Sequence, residues 1–179
     1  MNREQLAHVL RAAARIADDG DILVLGSQSI LGTADAADLP EAATMSVEAD
    51  LAFLSDPDEH KADVVDGAIG EESSFHHEFG YYAQGVTLAT AVLPTGWRER
   101  LVAFDRLDAE PSSARCLEPH DLVVAKLWAN REKDREFAAA LLRAGLINAA
   151  VLLERVDLVD QPEAVRERVR RTIRRCATP

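Results

Sequence analysis

Apolar positions recur along the chain with two different periods, and the change of period divides it. Leu6, Val9, Leu10, Ala13, Ile16 and Ala17 are spaced by three and four, which predicts an amphipathic helix over residues 3–18 ending before Gly20. Ile22 to Gly26 is then a short, β-branched apolar run that predicts a buried strand, followed at Gly26-Ser27 by a turn into a helix with Ser27 as its cap. Residues 32–43 predict a loop. Val47, Ala49, Leu51 and Phe53 alternate with Ser46, Glu48, Asp50 and Ala52, the period of a strand with one covered face. A helix to about Asp66 should follow Pro57, capped by Ser55 or Asp56 and closed by Gly67 and Gly70. Strands are expected around 80–83, 86–93 and 101–104, the last two separated by a Pro-Thr-Gly-Trp turn. After Pro119 the period is helical to the end, with breaks at Gly145 and around 156–161. This plan is α/β (α+β): a mixed-sheet core over residues 1–117, and a helical part over 118–179 packed on it as a single structural unit.

A chain of 179 residues that is 47% apolar is large enough for a real core, so disorder and fibrous repeats are excluded. The net charge of −11 argues against a protein that grips DNA non-specifically through many phosphates. That charge is local. Thirteen acids against Lys61 lie between Asp35 and Glu78, whereas six arginines face two acids from Glu163 onward. Val165, Val169 and Ile173 recur every four residues in this basic segment and predict a helix docked on the body, with contact to an RNA or an acidic partner as the alternative. Cys116 and Cys176 are expected as free thiols. No apolar run reaches the roughly 18 to 20 residues needed to span a bilayer, and charges interrupt the N-terminal segment too often for a signal peptide. A soluble, cytoplasmic protein is expected, with no membrane partner.

The sharpest chemical feature is Glu48 and Asp50. Two apart on a strand, they project from one face with their carboxylates a few ångströms apart. Like charges that close need a cation, a shared proton or open solvent. A divalent ion such as Mg²⁺ suits such a pair, because it takes hard oxygen ligands and keeps positions for substrate phosphates. The plainer alternative is a solvated strand face. If residues 121–137 form one helix, Leu122, Lys126, Asn130, Lys133 and Phe137 share a stripe with Asp134 beside it, so Lys126 turns inward toward an anionic partner or reaches out to a surface acid. His76 and His77 do not have the spacing of a zinc-binding helix. Neither a nucleophile elbow nor a P-loop is present: Gly-Ser-Gln-Ser-Ile-Leu-Gly has the wrong spacing for the first, and no Gly-rich run ends in Lys-Ser or Lys-Thr.

The order ILVLGS, then Glu48-Ala49-Asp50-Leu51, resembles the signature of the DNA polymerase β-like nucleotidyltransferases. Within that superfamily the chain is most similar to the small bacterial proteins grouped as DUF6036 nucleotidyltransferases, relatives of AbiEii and MenT-type toxins. The resemblance extends through DGAIGEESSFHHEFGYYAQGV, LPTGWRERLV and CLEPHDLVVAKLWANREKD, and so covers most of residues 20–142. It implies that Gly26 and Ser27 cradle the phosphates of an NTP, that Glu48 and Asp50 hold Mg²⁺ (or Mn²⁺), and that Lys126 clamps phosphate with Asp134 as an orienting or metal-linked acid. It further implies transfer of NMP to an RNA, such as tRNA, or to a protein acceptor, and a setting as the toxin paired with a cognate antitoxin. Most relatives add a third carboxylate from a neighbouring strand. Here Thr87, Ala89 and Thr90 occupy the expected strand, with Glu78 and Asp105 outside it. Two alternatives stand beside the enzyme: a non-catalytic NTP- or protein-binding regulator on the same fold, and a metal-dependent phosphohydrolase.

Overall fold

The amphipathic N-terminal stripe forms α1 (Arg3–Ala17), opened by a reciprocal capping box between Asn2 and Gln5 and closed by Asp18 in the left-handed conformation. The computed structural model describes residues 1–105 and 113–177. After α1 come β1 (Ile22–Val24), a short helix α2 (Glu41–Thr44), β2 (Glu48–Phe53), α3 (His60–Ile69), α4 (Ser74–Phe79) and β3 (Tyr82–Gly85). Two very short strands, β4 (Val102–Ala103) and β5 (Arg115–Cys116), complete a five-stranded sheet in the order β3-β2-β1-β5-β4. The sheet is mixed: β1 runs antiparallel to β2 and parallel to β5, β2 is parallel to β3, and β4 is antiparallel to β5. Four helices follow, α5 (Pro119–Ala129), α6 (Glu132–Arg143), α7 (Ala149–Asp157) and α8 (Glu163–Cys176).

The α/β plan is therefore observed, with local corrections. Gly26-Ser27 leads into a 3-10 helix over Ser27–Gly32, and Ser27 makes no capping bond. Ser29 is the hydroxyl that works here: fully buried, it donates to the Val24 carbonyl at 2.9 Å and accepts the Leu117 N–H, joining the ends of β1 and β5 to the start of α5. The helix expected after Pro57 starts only at His60, with Glu59 at its N-cap, and runs through Gly67 to its C-cap at Gly70; Asp56, outside the cap position, still accepts the Lys61 and Ala62 N–H groups at 3.1 and 3.0 Å. The expected strand over 86–93 does not form. The sheet edge ends at Gly85, where a Cβ would stand 1.9 Å from the Ala62 carbonyl of α3, and the chain turns away into a 3-10 helix over Leu88–Thr90.

Residues 121–137 are also not one helix. Asn130 takes the left-handed conformation (φ 56°) that ends α5, and Arg131 starts α6. One apolar cluster runs from Leu6 of α1 through β1 and β2 to Val169 and Ile173 of α8. The buried Asp121 of α5 adds a polar tie, with Arg100 at 2.8 Å and Arg155 at 3.2 Å. No helix among the described residues is long and apolar enough to cross a membrane.

Candidate active site

The two faces of β2 decide where chemistry can occur. Ala49, Leu51 and Phe53 are buried, with Phe53 under Lys61 of α3, whereas Glu48 and Asp50 turn to the opposite face. There they meet α5 and α6 across a cavity of about 280 Å³ whose lining includes Ser27, Glu48, Asp50, Lys126, Arg131 and Lys133. Four of the six residues singled out from the sequence, Ser27, Glu48, Asp50 and Lys126, thus share one cavity.

Gly26 belongs to it from behind. A Cβ on Gly26 would fall 1.5 Å from Asp50 Oδ2, so the strand end must be glycine for the carboxylate to lie where it does. The reason is close approach, since φ of −82° at Gly26 is open to any residue.

Glu48 and Asp50 lie close enough to influence one another's ionisation, and burial raises the pKa of both. Asp50's charge raises Glu48 further, while Lys133 and Arg131 draw it back; for Asp50 the opposing pull comes from Lys126 and then from the neighbouring Glu48 carboxyl. Two half-hidden carboxyls in contact resist losing both protons until a cation joins them.

Lys126 is only 10% exposed, which excludes the solvent-reaching alternative. Its Nζ lies 3.3 Å from Asp134 Oδ1 and 4.9 Å from the centre of the Phe137 ring. Burial lowers its pKa, against the opposing influence of Asp134 and then Asp50. Asp134 is fully buried and does not line the cavity. It accepts Arg131 Nε at 2.8 Å, Arg131 Nη2 at 3.2 Å and the Arg131 backbone N–H at 3.2 Å, besides Lys126. Burial alone would raise its pKa, but the Arg131 hydrogen bonds and the Lys126 charge outweigh it and hold the carboxyl low. Asp134 therefore anchors two cations rather than facing the cavity.

Arg131 was not legible as a site residue. Asn130 followed by the charged run Arg-Glu-Lys-Asp is the signal that marks it, an αL-tolerant residue ending one helix and an acid three places after Arg131 opening the next.

The neighbouring strand is β3, so the position expected to supply a third carboxylate is set by its register. Tyr82 stands beside Glu48, and Gln84 stands beside Asp50. Among the described residues, no group of three or more His, Cys, Asp or Glu gathers as a metal cluster. His76 and His77 lie on α4, His76 with its ring 4.6 Å from that of Tyr82 and His77 paired with Glu72. Cys116 and Cys176 are free thiols.

A family model described as a nucleotidyltransferase of unknown function (DUF6036) matches residues 4–171. Neither the curated proteins nor the solved structures yield a match to the chain.

Proposed function

The chain belongs to the DUF6036 nucleotidyltransferase family, and from that premise we propose that it moves NMP from an NTP to a hydroxyl of an RNA or protein acceptor at the Glu48/Asp50 cavity. One observation carries this reading: a half-buried carboxylate pair on one wall of a cavity faces Lys126, Arg131 and Lys133 on the other. Cations opposite carboxylates suit a ligand that brings phosphate oxygens to the first and a divalent ion to the second.

The pair fits Mg²⁺ or Mn²⁺ as a donor set, being two hard, mutually repelling oxygen groups that gain from a shared cation. Such an ion, when bound, supplies charge neutralisation at the reacting phosphate. In the transfer, the acceptor oxygen bonds to the α-phosphorus as the bond to the β-phosphate oxygen breaks. Pyrophosphate leaves with that electron pair, and the hydroxyl proton passes to the ionised carboxylate pair. Lys126, held by Asp134, and Lys133 meet the negative phosphate chain, and the Ser27 hydroxyl adds a donor on the β1 side. The resemblance to AbiEii and MenT-type proteins extends the proposal to a toxin checked by a cognate antitoxin.

Asp50→Ala should abolish labelling of acceptor by radiolabelled NTP in Mg²⁺, and any growth arrest on expression, while the circular-dichroism spectrum stays unchanged. Undiminished labelling would remove the site assignment. Gln84 beside Asp50 favours a second reading, a non-catalytic NTP-binding regulator. NTP binding without transfer to any acceptor, in wild type and variant alike, would select it.

A further inference from the structure

The cavity does not stop at α6. Ala42 and Glu136 line it on one side and on the other line a second groove, of about 540 Å³, that runs between α6 and α8. This groove carries Arg135 and Arg143 from α6 and Arg175 from α8, against Glu136 as its one acid, so it is locally positive on a chain whose net charge is −11. The arginines of α8 divide by face. Arg166, Arg170 and Arg174 turn away and are taken up by Glu163, Asp157 and Glu167. Arg175 and Arg143, by contrast, are exposed and enter no ion pair with an acid of the described residues. Arg135 bonds the Asn130 carbonyl through Nη1 at 2.7 Å, which ties the groove wall to the turn that positions Arg131.

We infer that the α6–α8 groove is the acceptor subsite, and that it takes the single-stranded end of an RNA, whose backbone phosphates lie on Arg143, Arg175 and Arg135 and whose terminal hydroxyl reaches the Glu48/Asp50 cavity past Ala42 and Glu136. The inference rests on the reading of that cavity as a nucleotidyl-transfer site. Charge complementarity names the occupant. Guanidinium groups in a row match the repeated phosphates of a polynucleotide. A duplex would bring many more phosphates against an acidic body, whereas a strand end makes only the few contacts this groove offers. Single-stranded ends are the ordinary form of RNA rather than of cellular DNA.

The test separates the groove from the cavity. Binding of a fluorescein-labelled single-stranded RNA oligonucleotide to the full chain is followed by anisotropy over a salt series, and binding of NTP is followed in parallel. Arg143→Glu/Arg175→Glu should weaken RNA binding about tenfold or more and flatten the slope of log K against log salt by about 1.4, at about 0.7 per phosphate contact on a single strand. NTP affinity and melting temperature should be unchanged, and the single variants should fall between. Unaltered RNA affinity in the double variant overturns the groove, as does equal binding of a duplex of the same sequence, or transfer to a protein that the double variant supports undiminished. Intact RNA binding in Asp50→Ala together with loss of transfer upholds both readings. RNA binding without NTP binding in the wild type removes the cavity reading alone.

Discussion

Asp50 shows how one residue can be placed for function at a cost to the fold. Its carboxyl lies in the space that a Gly26 side chain would fill, adjoins that of Glu48 and is raised in pKa first by burial. A carboxyl raised in the fold binds its proton more tightly there than in the unfolded chain. Its ionisation is therefore a cost that is absent below the ordinary carboxylate range and fully present once pH has passed above the folded value, so stability falls as pH rises through that window. Asp50→Asn should remove this dependence. The variant should melt above wild type at pH 7, by about 2–4 °C for each kcal/mol of relieved repulsion in a chain of this length, and the gap should close as pH falls to about 4. Millimolar Mg²⁺ should raise the wild-type melting temperature and leave that of Asp50→Asn unmoved. Melting curves at pH 4, 5.5 and 7, with and without the ion, read both effects, and a wild type more stable than the variant at neutral pH would contradict them.

At the scale of elements, the parts of the site that were legible are those whose signal is local. Alternation over residues 46–53 placed Glu48 and Asp50 on one face because the period of a strand does not depend on what covers it. The helical spacing of α1 was equally plain. What lay hidden was decided by neighbours. β5 is two residues long, too short to show any period, and the sheet edge ends at Gly85 because α3 comes so close. The break at Asn130 preserved the juxtaposition of Lys126 with Asp134 while changing its cause: the two meet across a turn between helices rather than along one helix. That turn makes Asp134 the hub for Lys126 and Arg131. Asp134→Asn keeps the shape and removes the charge, leaving Lys126 buried without its carboxylate, and should cost roughly 3 kcal/mol, the lower end of what breaking a buried pair costs, because Arg131 is more than half exposed. NTP affinity should fall with it as Lys126 loses its fixed position. Urea denaturation and nucleotide titration of the same preparation measure the two, and a variant with wild-type stability would show that the hub holds nothing together.

For the whole molecule, two kinds of contact fasten the last helix, and they respond to different conditions. Val169 and Ile173 are fully buried in the common core, whereas Arg170 reaches Glu163 at 2.7 Å, Glu167 at 3.3 Å and Asp157 on the outer side. The narrow apolar stripe was readable in the sequence; its partner was not, because α5, α6 and α7 supply the other side from distant segments. Buried methyl groups are insensitive to ionic strength, while exposed ion pairs are screened over about 10 Å at 0.1 M salt. Ile173→Ala should therefore lose about 2–5 kcal/mol in urea, independent of added NaCl. Arg170→Ala should lose less, and the difference from wild type should shrink as NaCl rises. Since α8 also forms one wall of the arginine groove, Ile173→Ala should weaken binding of the RNA strand while Arg170→Ala, on the other face, leaves it unchanged. Equal loss of strand binding in both variants would mean that α8 acts through its total charge rather than through the groove face that its core contacts hold in place.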